Sequence, residues 1–123
     1  MNYNIDPNVF PTFGNAINKA LGRIASFSVE LGEGEYTADK LLEWNEEGAP
    51  PTEADVNAAL ALLRSEYPMH RLRAKRDALI AETDWWVMPD RTPTQEQLDY
   101  RQALRDLPAN TTDPANPVWP TKP

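Results

Sequence analysis

The chain lacks cysteine entirely and has a single histidine, His70, among its 123 residues. Disulfides, thiolate metal sites and cysteine nucleophiles are thereby excluded together, and one imidazole cannot build a histidine-rich metal site. Glycine is also scarce, with five residues. The lone Gly-x-Gly, Gly32-Glu33-Gly34, is expected to be a turn, because no phosphate-binding glycine loop surrounds it. Long apolar runs are missing: nothing approaches about 18 consecutive apolar residues. The opening Met1-Asn2-Tyr3-Asn4-Ile5-Asp6-Pro7 has neither a basic nor an apolar targeting region, so secretion and membrane insertion are not expected. Carboxylate pairs such as Glu46–Glu47 or Asp84 with Asp90 come without a nucleophile elbow or a calcium loop. The expectation is a protein that is not an enzyme, needs no metal or cofactor, and works by holding another protein.

What is abundant is proline, acid and tryptophan. Five of the 12 prolines lie from Pro108 onward, which makes the C-terminal segment an extended arm. The net charge of −7 belongs to the first half, where residues 1–67 hold 11 acids against 4 bases, while residues 68–123 hold 8 of each. Nine acids and one base, Lys40, fall between Glu30 and Asp55. Such a surface keeps a protein soluble and repels phosphate backbones and anionic lipid, so neither nucleic acid nor membrane is expected as a partner.

Periodicity sets out the elements. Residues 1–14 place Tyr3, Ile5, Val9, Phe10 and Phe13 between Pro7, Pro11 and Gly14, a segment too apolar for a free linker and too broken for a helix. Alternation from Ile24 to Leu31 predicts a half-buried strand. Leu41, Leu42 and Trp44 form a second strand or a helical turn, and the two segments suit a hairpin. Thr52 with Asp55 imitates a capping box, and Val56, Ala59, Leu60 and Leu63 follow at helical spacing, which predicts helix one over about 53–66. Pro68 is expected to end it and to start helix two, with Met69, Leu72, Leu79 and Ile80 on one side and Arg71, Lys75, Ala78 and Glu82 towards solvent. Thr94 with Gln97 caps helix three, whose stripe is Tyr100, Ala103, Leu104 and Leu107 and whose expected end is Pro108. The fold class is therefore mainly α with a small N-terminal β-hairpin (α+β), an antiparallel helix pair and extended N- and C-terminal arms. Its expected divisions are an arm with a short helix (1–23), a small α+β region (24–68), a helical hairpin (69–108) and a proline-rich arm (109–123).

Aromatic anchors are the strongest signal of binding, because a buried indole removes much apolar area from water at low rotamer cost. Trp44, Trp85, Trp86 and Trp119 are the candidates. One of Trp85 and Trp86 is expected in the core, and Trp119 either docks on the chain's own helices or on a partner. Arg71, Lys75 and Tyr100 are grouped with them as candidate partner-binding residues. Arg71, Arg73, Lys75 and Arg76 also raise the alternative of a small nucleic-acid-binding regulator, although Asp77, Glu82 and Asp84 follow at once.

Three blocks in order, Arg73-Ala74-Lys75-Arg76-Asp77-Ala78-Leu79-Ile80-Ala81-Glu82-Thr83-Asp84-Trp85, Tyr100-Arg101-Gln102-Ala103-Leu104-Arg105-Asp106-Leu107-Pro108 and Pro117-Val118-Trp119-Pro120, resemble the tail assembly chaperones of tailed bacteriophages. The resemblance spans residues 69–123, with a looser echo at Leu41-Leu42-Glu43-Trp44-Asn45 and Pro51-Thr52-Glu53-Ala54. It implies a small phage protein that binds a tail-fibre or other tail protein in the host cytoplasm during assembly, without catalytic residues or cofactor. Retention in the virion tail, or a structural role in the fibre or baseplate, is the neighbouring alternative. The segment Trp86-Val87-Met88-Pro89 departs from the family pattern, and residues 1–35 share nothing with it.

Overall fold

The computed structural model describes residues 9–123, so the expectations for Tyr3 and Ile5 lie outside the described residues. The chain divides into two compact units, residues 1–67 and 68–123.

In the first unit, helix α1 (Phe13–Leu21) starts at Thr12, whose hydroxyl accepts from the Asn15 N–H at 3.1 Å while the Asn15 side chain accepts from the Thr12 N–H at 2.9 Å. The two bonds satisfy donors that a helix start otherwise leaves open. At the other end Gly22 takes φ 74°, where a side chain would be strained, and its N–H closes on the Asn18 carbonyl. Phe13, Ala16 and Ile17 on the inner face of α1 meet Tyr36 and the Val56, Ala59, Leu60 and Leu63 stripe of α2 (Glu53–Glu82) in one core. Leu21, Phe27, Val29, Leu41 and Trp44 close it.

The expected hairpin is present as antiparallel β1 (Phe27–Val29) and β2 (Leu41–Trp44), which settles the second segment as a strand. It pairs Phe27 with Trp44 and Ser28 with Glu43, then skips Leu42 so that Val29 meets Leu41. This irregularity and the 3₁₀ turn Ala38–Lys40 leave β1 no partner beyond a bond from the Glu30 N–H to the Lys40 carbonyl. The strand is accordingly shorter than the alternation from Ile24 to Leu31 predicts, and Leu31, expected on the half-buried face, is exposed.

Helices one and two are a single helix, contrary to the expected break at Pro68. A proline removes one N–H and crowds the carbonyl four residues back, here Arg64, at a cost of about 3 kcal/mol. That ends a helix when flanking residues also prefer to leave it. Arg64, Ser65, Glu66 and Tyr67 before it include neither glycine nor a β-branched residue, and Leu72, Ala74 and Lys75 after it are strong helix formers. The cap is as expected, with the Asp55 N–H donating to the Thr52 hydroxyl at 3.1 Å. Arg71, Lys75, Ala78 and Glu82 are all exposed, as their spacing predicts.

In the second unit, a 3₁₀ turn (Asp84–Val87) follows α2, and α3 (Gln95–Asn110) begins with the expected Thr94–Gln97 capping box. Tyr100, Leu104 and Leu107 are buried as expected, but Ala103 is exposed, since the inward stripe is narrower than the spacing suggests. Helix α3 passes Pro108 and ends two residues later. Near a C-terminus proline costs little, because only the bond to the Leu104 carbonyl is lost, and the Thr111 hydroxyl donates to the Leu107 carbonyl at 2.6 Å. Arg76 reaches the Arg105 carbonyl while Arg101 reaches that of Ile80, so α3 runs antiparallel to the last turns of α2.

Candidate protein-binding site

The site is the connection between α2 and α3, and a buried cation holds it in place. Helix α2 has no basic residue in its last turn, where its dipole favours one. Arg101, on α3, supplies the charge from across the unit. Its guanidinium donates to the Ile80 carbonyl at 3.1 Å, to the Thr83 hydroxyl at 2.6 Å and to the Asp84 carboxylate at 3.2 Å. Thr83 in turn donates to the Ile80 carbonyl at 2.9 Å. Three acceptors in a fixed fork suit the planar guanidinium, which is always charged. The residues after Thr83 are thereby fixed in direction.

That direction sorts the two adjacent indoles. Trp86 turns inward against Tyr100 and Leu104 and is 5% exposed, whereas Trp85 turns outward and is 51% exposed. Their rings meet edge to face at 6.2 Å, and the Arg91 guanidinium lies 4.6 Å from the centre of the Trp85 ring. Val87 and Met88 continue the outward apolar surface. An indole kept in one orientation by a buried neighbour and a cation loses little freedom when something covers it.

The other candidates fall elsewhere. Trp44 stacks on Phe27 at 6.1 Å within the first unit, and its N–H donates to the Gly48 carbonyl at 3.0 Å. Trp119 packs against the Trp86–Tyr100–Leu104 cluster with the Lys75 ammonium 4.6 Å from its ring centre, so it docks on the chain's own helices. The Lys122 ammonium lies 5.8 Å from the Trp86 ring centre. Tyr100 is buried beside Trp86, and Arg71 is exposed on α2. Within the basic cluster, Lys75 sits over Trp119, and Arg76 is bonded to Asp77 at 2.6 Å and to the Arg105 carbonyl. Sequence reasoning missed Arg101, Thr83, Val87 and Met88. A basic residue inside the apolar stripe of α3 is the signal that marks Arg101, and the departure Trp86-Val87-Met88-Pro89 is the one that marks the apolar surface.

This arrangement offers apolar area beside a fixed cation. Among the described residues no helix is long and apolar enough to cross a membrane, and no three His, Cys, Asp or Glu side chains are grouped to hold a metal.

Comparison with known families finds one match, and it falls on this unit. Residues 69–123 match the phage tail assembly chaperone protein family. The matched segment is less than half of the chain and coincides with the second unit from its second residue onward. It takes in the Arg101 cap, the outward Trp85 and the docked arm. Among curated proteins and solved structures nothing matches the chain.

Proposed function

We propose that this protein is a phage tail assembly chaperone that binds a tail or tail-fibre protein through the surface of Trp85, Val87 and Met88, and that it acts by binding rather than catalysis. The observation that carries the reading is the outward Trp85, held rigid at a surface inside the segment that matches the family. Covering a large, preoriented indole gives a small interface most of its energy. The complex forms in the host cytoplasm during assembly, and mass spectrometry of purified particles tells whether the protein leaves with them.

The direct test is co-purification with the tail and fibre proteins encoded by the same phage. Trp85→Ala is expected to weaken capture by about 2 kcal/mol, roughly 30-fold, while the melting temperature stays close to that of the parent. Undiminished capture would remove the proposed surface. Raising the salt separates this from the nucleic-acid alternative, because binding through four basic side chains collapses with ionic strength and an indole-centred interface does not.

A further inference from the structure

The unit outside the family match has a docking surface of its own. Val9, Phe10, Pro11, Thr12, Leu31, Gly32 and Glu33 line a groove of about 370 Å³. Of these Leu31 is 85% exposed, an unusual position for a leucine on a loop that is not free to move.

Several contacts pin that loop. Gly32 lies so close to α1 that a Cβ there would meet the Phe13 ring at 2.8 Å. Tyr36 exchanges two backbone bonds with the Asn57 side chain, both 2.8 Å, and the Tyr36 ring is edge-on to Phe13. The Ala38 N–H donates to the Glu53 carboxylate at 2.7 Å. Arg64 donates to the Gly34 carbonyl at 3.0 Å while its guanidinium lies 5.3 Å from the Phe10 ring centre. Leu31 is thus presented outward by a braced frame, with little entropy left to lose on contact.

Charge identifies what it faces. Glu33 lines the groove, and Glu30 and Glu35 belong to the same loop. Two cations lie near, Arg64 at 5.3 Å from the Phe10 ring centre and Lys40 at 6.0 Å from that of Phe13, and the three glutamates outnumber them. An apolar floor with a negative rim attracts and retains apolar side chains flanked by positive ones. We infer that the Val9–Phe10–Leu31 groove binds a cationic segment of another protein that carries one or two large apolar side chains between lysines or arginines. This second site does not rest on the Trp85 surface, and it makes the chain a two-site connector.

The test is fluorescence anisotropy with the full-length protein and the labelled peptide Lys-Arg-Leu-Phe-Lys-Arg. Binding is expected, with affinity at least about tenfold lower for Glu-Asp-Leu-Phe-Glu-Asp and for Lys-Arg-Ser-Gly-Lys-Arg. Leu31→Ser and Glu33→Lys should each weaken the first peptide about tenfold, and both change exposed side chains, so the fold is retained. Trp85→Ala should leave this binding unchanged while weakening capture of tail protein, which separates failure here from failure of the assembly reading. Equal binding of the Leu-Phe and Ser-Gly peptides, or an unaffected Leu31→Ser variant, would overturn the proposal. So would binding that appears only once residues 2–8 are deleted, which assigns the groove to the chain's own N-terminus, or self-association lost in Leu31→Ser, which assigns it to a second copy.

Discussion

Two side chains show how single residues set local structure. Arg101 is nearly inaccessible to solvent, and its charge is tolerated because three acceptors and the end of α2 receive it. Lysine carries the same charge but only a compact ammonium, which does not span a carbonyl, a hydroxyl and a carboxylate together. Arg101→Lys should therefore destabilise the second unit by about 1.5–3 kcal/mol in chemical unfolding, and it should also loosen Trp85, read as altered indole emission. A variant as stable as the parent would show that the fork is dispensable. Glu46 is the second case. The Ser26 N–H at 2.9 Å and the Arg23 guanidinium at 2.9 Å hold its carboxyl below the usual range. A depressed folded pKa stabilises the protein above the ordinary glutamate value of about 4.5, and this contribution is lost as pH falls from there through the folded value. Glu46→Gln should flatten the fall of melting temperature below about pH 4.5 relative to the parent, and parallel profiles would mean that the carboxylate contributes nothing.

Elements show what a sequence makes legible and what it hides. Both threonine caps at Thr52 and Thr94 are visible because the hydroxyl and the residue three further on are local. The α1 cap at Thr12 is equally local, but Pro11 before it and Gly14 after it read as breakers and hide the helix start. The inward choice of Trp86 over Trp85 depends on Arg101, far along the chain, and no local pattern contains it. The continuity of α2 is hidden for the opposite reason: proline is a strong local signal that the surrounding helix overrides. That override costs stability. Pro68→Ala restores a donor to the Arg64 carbonyl and should raise stability by about 1–3 kcal/mol, measured as a shift in the denaturation midpoint. A lower midpoint would mean that the half-buried proline ring contributes more through packing than the missing bond takes away.

At the scale of the molecule, the apolar residues fall into two clusters, one built on Phe13, Ile17, Tyr36, Val56 and Leu60, the other on Trp86, Tyr100 and Leu104. Each lies within one compact unit, and the family match covers only the second. Removing three carbons from a fully buried leucine costs about 2–5 kcal/mol, and the loss is felt by the residues that shared the cavity wall. Leu60 and Leu104 are both almost completely buried and belong to different clusters. Leu104→Ala should therefore raise amide hydrogen exchange in α3 and the 3₁₀ turn while leaving α1 and the hairpin protected, and Leu60→Ala should do the reverse. In the double variant the two costs should add to within about 0.5 kcal/mol. The continuous helix contributes residues to both units, so exchange along Glu53–Glu82 reads whether a change in one reaches the other. If protection falls in step over both halves of α2 in either single variant, the units unfold as one and a client held at Trp85 is coupled to whatever fills the groove at Leu31. If it falls only on the mutated side, the two surfaces act independently, and each can be removed without loss of the other.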